Sequence, residues 1–103
     1  MDFQKIIDML TSTFDWDCTI MSFGSNYWPT QGSNVWPSNG RLHLWYPMQK
    51  TPATEWEAEI DRLYEAGTYA LEYDKAKSVW DEYQRIILEQ CPLIYIAHPY
   101  SFL

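Results

Sequence analysis

Asp15 and Asp17 stand two residues apart in "FDWDCTIMSF", a spacing that puts both carboxylates on one face of an extended segment, as a glycoside hydrolase would need for its acid/base pair. Two acids at the wet end of a strand, however, need no chemistry to account for them. His43 and His98 lie far apart with no Cys, Asp or Glu at ligand spacing, so no metal site is expected. Cys18 and Cys91 form no CxxC pair and sit among apolar neighbours, which points to two buried thiols. The serines lack a nucleophile-elbow motif, and Gly24, Gly32 and Gly40 are too widely separated to cradle a phosphate. Glu55, Glu57, Glu59 and Asp61 crowd a helix start, where the helix dipole favours acids, and they read as a solvated face. Nothing in this set carries catalysis by itself, and no pattern in it calls for a cofactor.

Binding has better material. Aromatic residues make up 17% of the 103 residues, with six Trp and eight Tyr, well above ordinary usage. Such an excess suits either a small domain built on large side chains or a surface where rings wall in a ligand. Trp28, Trp36 and Trp45 fall in an irregular segment and are candidates for stacking on a peptide side chain or a sugar ring, the alternative being burial in the loop's own packing. Trp56, Trp80 and Tyr83 fall on helical stripes and read as core. The net charge of −7, from 14 acidic and 7 basic residues, makes a phosphate backbone a repulsive partner, so nucleic acid is not expected. There is no Lys/Arg cluster for an anionic membrane, no apolar run of spanning length, and no visible signal peptide. Either the protein is cytoplasmic or its export signal lies outside this chain.

The elements that must position these side chains follow from periodicity. The length allows one domain at most. Asp2 can cap a helix whose apolar positions Phe3, Ile6, Ile7 and Leu10 fall at i, i+3, i+4, i+7, closed by Thr11-Ser12-Thr13. Phe14–Phe23 alternates and reads as a strand, with Phe14, Trp16, Cys18 and Ile20 on one side. From Gly24 to Ala53 the chain carries three of its four glycines and four of its six prolines, so no regular element is expected beyond a short extended piece at "RLHLWY". Thr54 and Glu57 form a capping box that opens a helix bearing Trp56, Ile60, Leu63 and Tyr64, which Gly67 should stop. Asp74 caps a second helix, to Gln90, with Ala76, Val79, Trp80, Tyr83, Ile86 and Ile87 on one stripe before Pro92. "LIYIAH", from Leu93 to His98, is an apolar run suited to a strand covered on both faces. The predicted order is helix, strand, long loop, helix, helix, strand, an α/β or α+β arrangement.

A structureless loop this long belongs in a small domain only if it is functional or packs against other chain. Three segments carry a resemblance: "FDWDCTIMSFGSNYWP", "NVWPSNGRLHLWYPMQKTPATEWEAEIDRLY" and "DKAKSVWDEYQRIILEQCPLIYIAHPYSFL". Together, in this order and at this spacing, they resemble the C-terminal stretch of the bacterial family 5 extracellular solute-binding proteins, the peptide-binding class that serves ABC importers. The likeness covers nearly all of this chain but only the last part of a much longer family protein.

That resemblance implies an α/β fold, here part of the C-terminal lobe of a two-lobed receptor closing on a solute. It implies a non-catalytic role in capturing a peptide or related solute, in the periplasm or on the outer face of the cytoplasmic membrane, with a membrane permease as partner. Its export signal would lie far upstream. In peptide-binding members the loop after the first strand places an Asp near the α-amino group of the bound peptide, since a buried ammonium needs a carboxylate partner. Here that loop reads Gly24-Ser25-Asn26-Tyr27-Trp28-Pro29 and holds no acid, with Ser25 or Asn26 near the Asp position. Peptides with a free amino end are therefore disfavoured, and blocked or internally anchored peptides and sugars stay open. Ser25, Asn26, Tyr27, Trp28, Trp36 and Trp45 make up the expected ligand-binding set. Apolar surface left uncovered in such a segment favours self-association. An independent aromatic-rich module, such as a carbohydrate-binding domain, is the alternative, with an enzyme third.

Overall fold

The computed structural model describes residues 2–22 and 28–97. Its centre is a helical hairpin. Helix α2, Glu55–Tyr69, and helix α3, Tyr73–Gln90, are joined by a three-residue link and pack against each other. So short a link makes the pair antiparallel, and their apolar stripes meet. Ile60 and Leu63 of α2 and Tyr83, Ile86 and Ile87 of α3 are buried together, with Trp56, Tyr64, Val79 and Trp80 packed around them. The N-terminal helix α1, Phe3–Asp8, runs on into a π-helical turn, Met9–Thr13, that buries Leu10.

Local chemistry explains the helix ends. The Thr54 hydroxyl accepts the Glu57 amide at 3.3 Å while the Glu57 carboxylate accepts the Thr54 amide at 3.0 Å, the reciprocal capping box expected from the sequence. Asp2 accepts the Gln4 amide and starts α1. Helix α3 begins one residue before Asp74, behind Glu72, whose side chain makes no capping bond. It ends at Cys91, which takes the left-handed conformation usual just past a helix (φ 48°) and donates its amide to the Ile87 carbonyl, with Pro92 forbidding continuation.

Gly67 does not stop α2. It lies inside the helix, where a Cβ would come within 2.5 Å of the Trp80 indole, so the missing side chain lets that ring lie against the α2 backbone. Trp80 in turn meets Tyr64 and Tyr83 edge to face, with ring centroids 5.8 and 5.2 Å apart.

The expected α/β fold, a partial C-terminal lobe in the order helix, strand, long loop, helix, helix, strand, is contradicted: the molecule is helical, with no strand among the described residues. Residues 14–22 and 91–97 are irregular. Ile20 is 85% exposed and Ile94 82%, and both cysteines are exposed instead of buried. Phe14, where the first strand should begin, is in the left-handed region at φ 54°. The physical reason is that alternation and β-forming residue types supply one half of a ladder only. A strand must exchange backbone hydrogen bonds with a neighbour, and among the described residues neither segment has one. "RLHLWY" forms turns and not an extended piece. From Trp28 on, the long segment behaves as its Gly and Pro content dictates, with a 3-10 turn, Pro29–Gly32, and a succession of tight turns. No helix among the described residues is long and apolar enough to cross a membrane.

The Tyr83 hydroxyl is buried and has no hydrogen-bond partner among the described residues, and burial, followed by Tyr64, Tyr95 and Asp61, pushes its phenol well above the ordinary range. An unpaired buried hydroxyl costs about 1–3 kcal/mol, so Tyr83→Phe should raise stability by about 1 kcal/mol, read as a higher urea midpoint at unchanged slope. A drop of that size would mean that the hydroxyl is paired in solution.

Candidate functional site

The loop of residues 28–54 is fixed to the first two turns of α2 by two acids that share a helix face. Glu57, Ile60, Asp61 and Tyr64 fall at i, i+3, i+4 and i+7, so the stripe that packs against α3 also turns Glu57 and Asp61 inward. Glu57 is 2% exposed. Its Oε1 accepts three donors: His43 Nε2 at 2.9 Å, Gln49 Nε2 at 3.0 Å and Trp45 Nε1 at 3.2 Å. Its Oε2 accepts the Thr54 amide at 3.0 Å and the Thr54 hydroxyl at 2.8 Å. Five donors saturate a carboxylate, which offers about four lone-pair directions.

The partners are themselves oriented. His43 is fully buried and has the Val35 carbonyl 2.8 Å from Nδ1 and Glu57 on Nε2. Both ring nitrogens are thus engaged inside the protein, Nδ1 against a carbonyl and Nε2 against the Glu57 carboxylate. Gln49 donates to Glu57 through its amide nitrogen while its oxygen accepts the Ala53 amide at 2.6 Å. Trp45 lies over the imidazole with ring centroids 3.8 Å apart and has Trp36 and Trp56 on its other sides at 5.9 and 6.3 Å. These rings shield the pair from water and thereby strengthen it.

Asp61 holds the other end of the loop. Its carboxylate accepts the Ser38 amide at 2.7 Å and the Ser38 hydroxyl. Between these anchors the loop crosses itself at Gly40, where a Cβ would stand 2.2 Å from the Asn34 carbonyl oxygen. The Gly40 carbonyl accepts the amides of His43 and Met48, and Asn34 accepts that of Leu42 at 2.8 Å.

Burial is the largest single influence on the Glu57 carboxyl and pushes it upward. The hydrogen bonds from His43, Gln49 and Thr54, with the charge of His43, together outweigh it and bring the carboxyl from an ordinary 4.5 down to about 2. Because the folded value lies below the unfolded one, the stabilisation is complete above about pH 4.5 and is lost as the pH falls through about 2, with a span of about 3 kcal/mol. Urea midpoints should therefore fall steeply below about pH 4.5 in the natural chain, and much less so in Glu57→Gln. Equal acid sensitivity in the two proteins would contradict this. Glu59 and Glu82 are also lowered, each by its hydrogen bond to an arginine, but they are solvent-exposed and add little.

Of the ligand-binding residues expected from sequence, Ser25, Asn26 and Tyr27 lie outside the described residues, as does His98. Trp28 is 71% exposed at the start of the 3-10 turn. Trp36 is half-buried against the hairpin core, and Trp45 is half-buried with its N–H committed to Glu57. The structure thus joins Trp36 and Trp45 in one cluster and leaves Trp28 apart from it. Sequence reasoning missed Tyr46 and Met48, both exposed at the loop's outer edge, Met48 with a left-handed backbone at φ 54°. It also read Glu57 and Asp61 as solvated. Their shared stripe with Ile60 and Tyr64 was the available signal. Asp15 and Asp17 are exposed and lie in an irregular stretch. Among the described residues, no three His, Cys, Asp or Glu side chains converge to hold a metal ion.

Comparison with protein-family models, with curated proteins and with solved structures gives no match.

Proposed function

We propose that this chain is a binding element and not a catalyst, and that it serves in the extracytoplasmic capture of peptides or a related solute for an ABC importer. The observation that carries the binding reading is the saturation of Glu57. A buried His–Glu pair is what a general acid/base site would need, yet here every lone-pair direction of the carboxylate, and both nitrogens of the imidazole, are engaged inside the protein. No proton-transfer capacity is left to face a substrate. The pair acts instead as a clamp that holds an aromatic loop in one conformation, leaving Trp28, Tyr46 and Met48 open to solvent. Preorganised rings on a fixed loop lower the ordering cost of binding an uncharged or half-apolar solute. The importer, its permease and the extracytoplasmic location follow from the sequence resemblance alone.

A second reading is favoured by the hairpin's own buried core: a self-standing aromatic module. Affinity separates the two. A receptor needs two walls to enclose its solute, so this chain alone should bind N-blocked tripeptides or oligosaccharides no tighter than about millimolar. Titration followed by tryptophan fluorescence and amide NMR checks this, with shifts expected at Trp28 and residues 41–50. Micromolar binding favours the module, and shifts confined to residues outside the loop contradict both.

A further inference from the structure

We infer that the groove between Arg41 and Lys50 receives a single carboxylate, the free carboxyl end of a short peptide. This deepens the solute-binding reading above and rests on it. Four of the chain's seven cations are paired on the helices: Arg62 with Glu59, Lys75 with Glu72, Lys77 with Asp81, and Arg85 with Glu82 and Glu89. Arg41 and Lys50 have no carboxylate within ion-pair distance among the described residues, although the chain carries twice as many acids as bases.

The chain segments that carry them are tied together by the loop's own bonds. The Met48 amide donates to the Gly40 carbonyl and the Gln49 amide to the Ser38 carbonyl, both at 3.2 Å, which ties the segment before Arg41 to the segment before Lys50. Both cations then line one open groove of about 660 Å³, with Pro37, Pro52 and Tyr64 among its walls and Asp61 at its α2 side. Asp61 accepts two hydrogen bonds from Ser38 and makes no ion pair with either cation, and its charge leaves the groove with one net positive charge. That surplus on a groove of an acidic protein favours one anionic group, and Arg with Lys suits a carboxylate. The net charge of −7 disfavours a polyanion but tolerates one charge, and the ring and prolines offer apolar contact to the residue that bears it.

Amide NMR titration of the chain decides it, using N-acetyl-trialanine with a free carboxyl end, the same peptide as its terminal amide, and sodium acetate, all at matched ionic strength. The free acid should bind about tenfold tighter than the amide, with the largest shifts around Arg41 and Lys50. Arg41→Gln with Lys50→Gln, at two exposed positions, should abolish that preference while leaving the far-UV CD spectrum intact. Equal binding of acid and amide overturns this inference alone. Acetate as effective as the peptide acid also overturns it, by reducing the groove to a general anion patch. Absence of any peptide binding up to tens of millimolar overturns both it and the solute-binding reading.

Discussion

Glu57→Ala should cost about 3–5 kcal/mol and free the loop of residues 28–54 from the hairpin. The substitution removes one acceptor and strands several donors. His43, Gln49 and Trp45 each lose a partner inside a site where His43 is fully buried, and the amide of Thr54 loses its half of the capping box. Leaving the fully buried His43 ring without its carboxylate partner is the largest of these losses. Glu57→Gln keeps one acceptor oxygen and the helix cap but turns an N–H₂ group toward donors, so its loss should be smaller, about 1–3 kcal/mol. Urea melts followed by both tryptophan fluorescence and far-UV CD distinguish loop release from hairpin unfolding. In Glu57→Ala the fluorescence transition should come first. Coincident transitions with a loss under about 1 kcal/mol would mean that the clamp is peripheral.

Trp80→Ala should cost a similar amount, about 3–5 kcal/mol, by a different route. The indole fills the space over Gly67 and meets Tyr64 and Tyr83 edge to face, so its removal leaves a gap between the two helices that a glycine cannot fill. For a protein whose whole stability is of order 5–15 kcal/mol, that loss should unfold the hairpin and the loop together. Trp36→Ala should cost clearly less, since that ring is half-buried at the edge of the core and packs on the loop's own Gly32 as well. Equal losses at the two positions would place Trp36 in the core and remove it from the ligand-binding candidates.

What the sequence revealed and what it concealed divide along the range of the interactions concerned. Helix α2 was legible from Thr54 and Glu57 because a capping box is closed within four residues, and α3 from its stripe of Val79, Trp80, Tyr83, Ile86 and Ile87. The irregular run before α2 was legible from its glycines and prolines. The two strands were not, because Ile20 and Ile94 alternate or cluster correctly yet depend on a partner edge that no local pattern reports. Gly67 was misread for a related reason: a helix stop and a site of close approach look alike until the facing residue, Trp80, is known. The clamp itself joins residues 8–14 positions apart across turns, and a histidine in a Trp-rich loop gave no hint of the acid it would face.

Hydrogen exchange at the Trp45 indole N–H tests the clamp most directly. If Glu57 locks the loop to the hairpin, that proton should exchange only when the fold opens, at a rate near that of the slowest α2 and α3 amides and far slower than the indole of exposed Trp28. Exchange of the Trp45 indole as fast as that of Trp28, with the helix amides still protected, would show that the loop moves independently of the hairpin and would contradict the account.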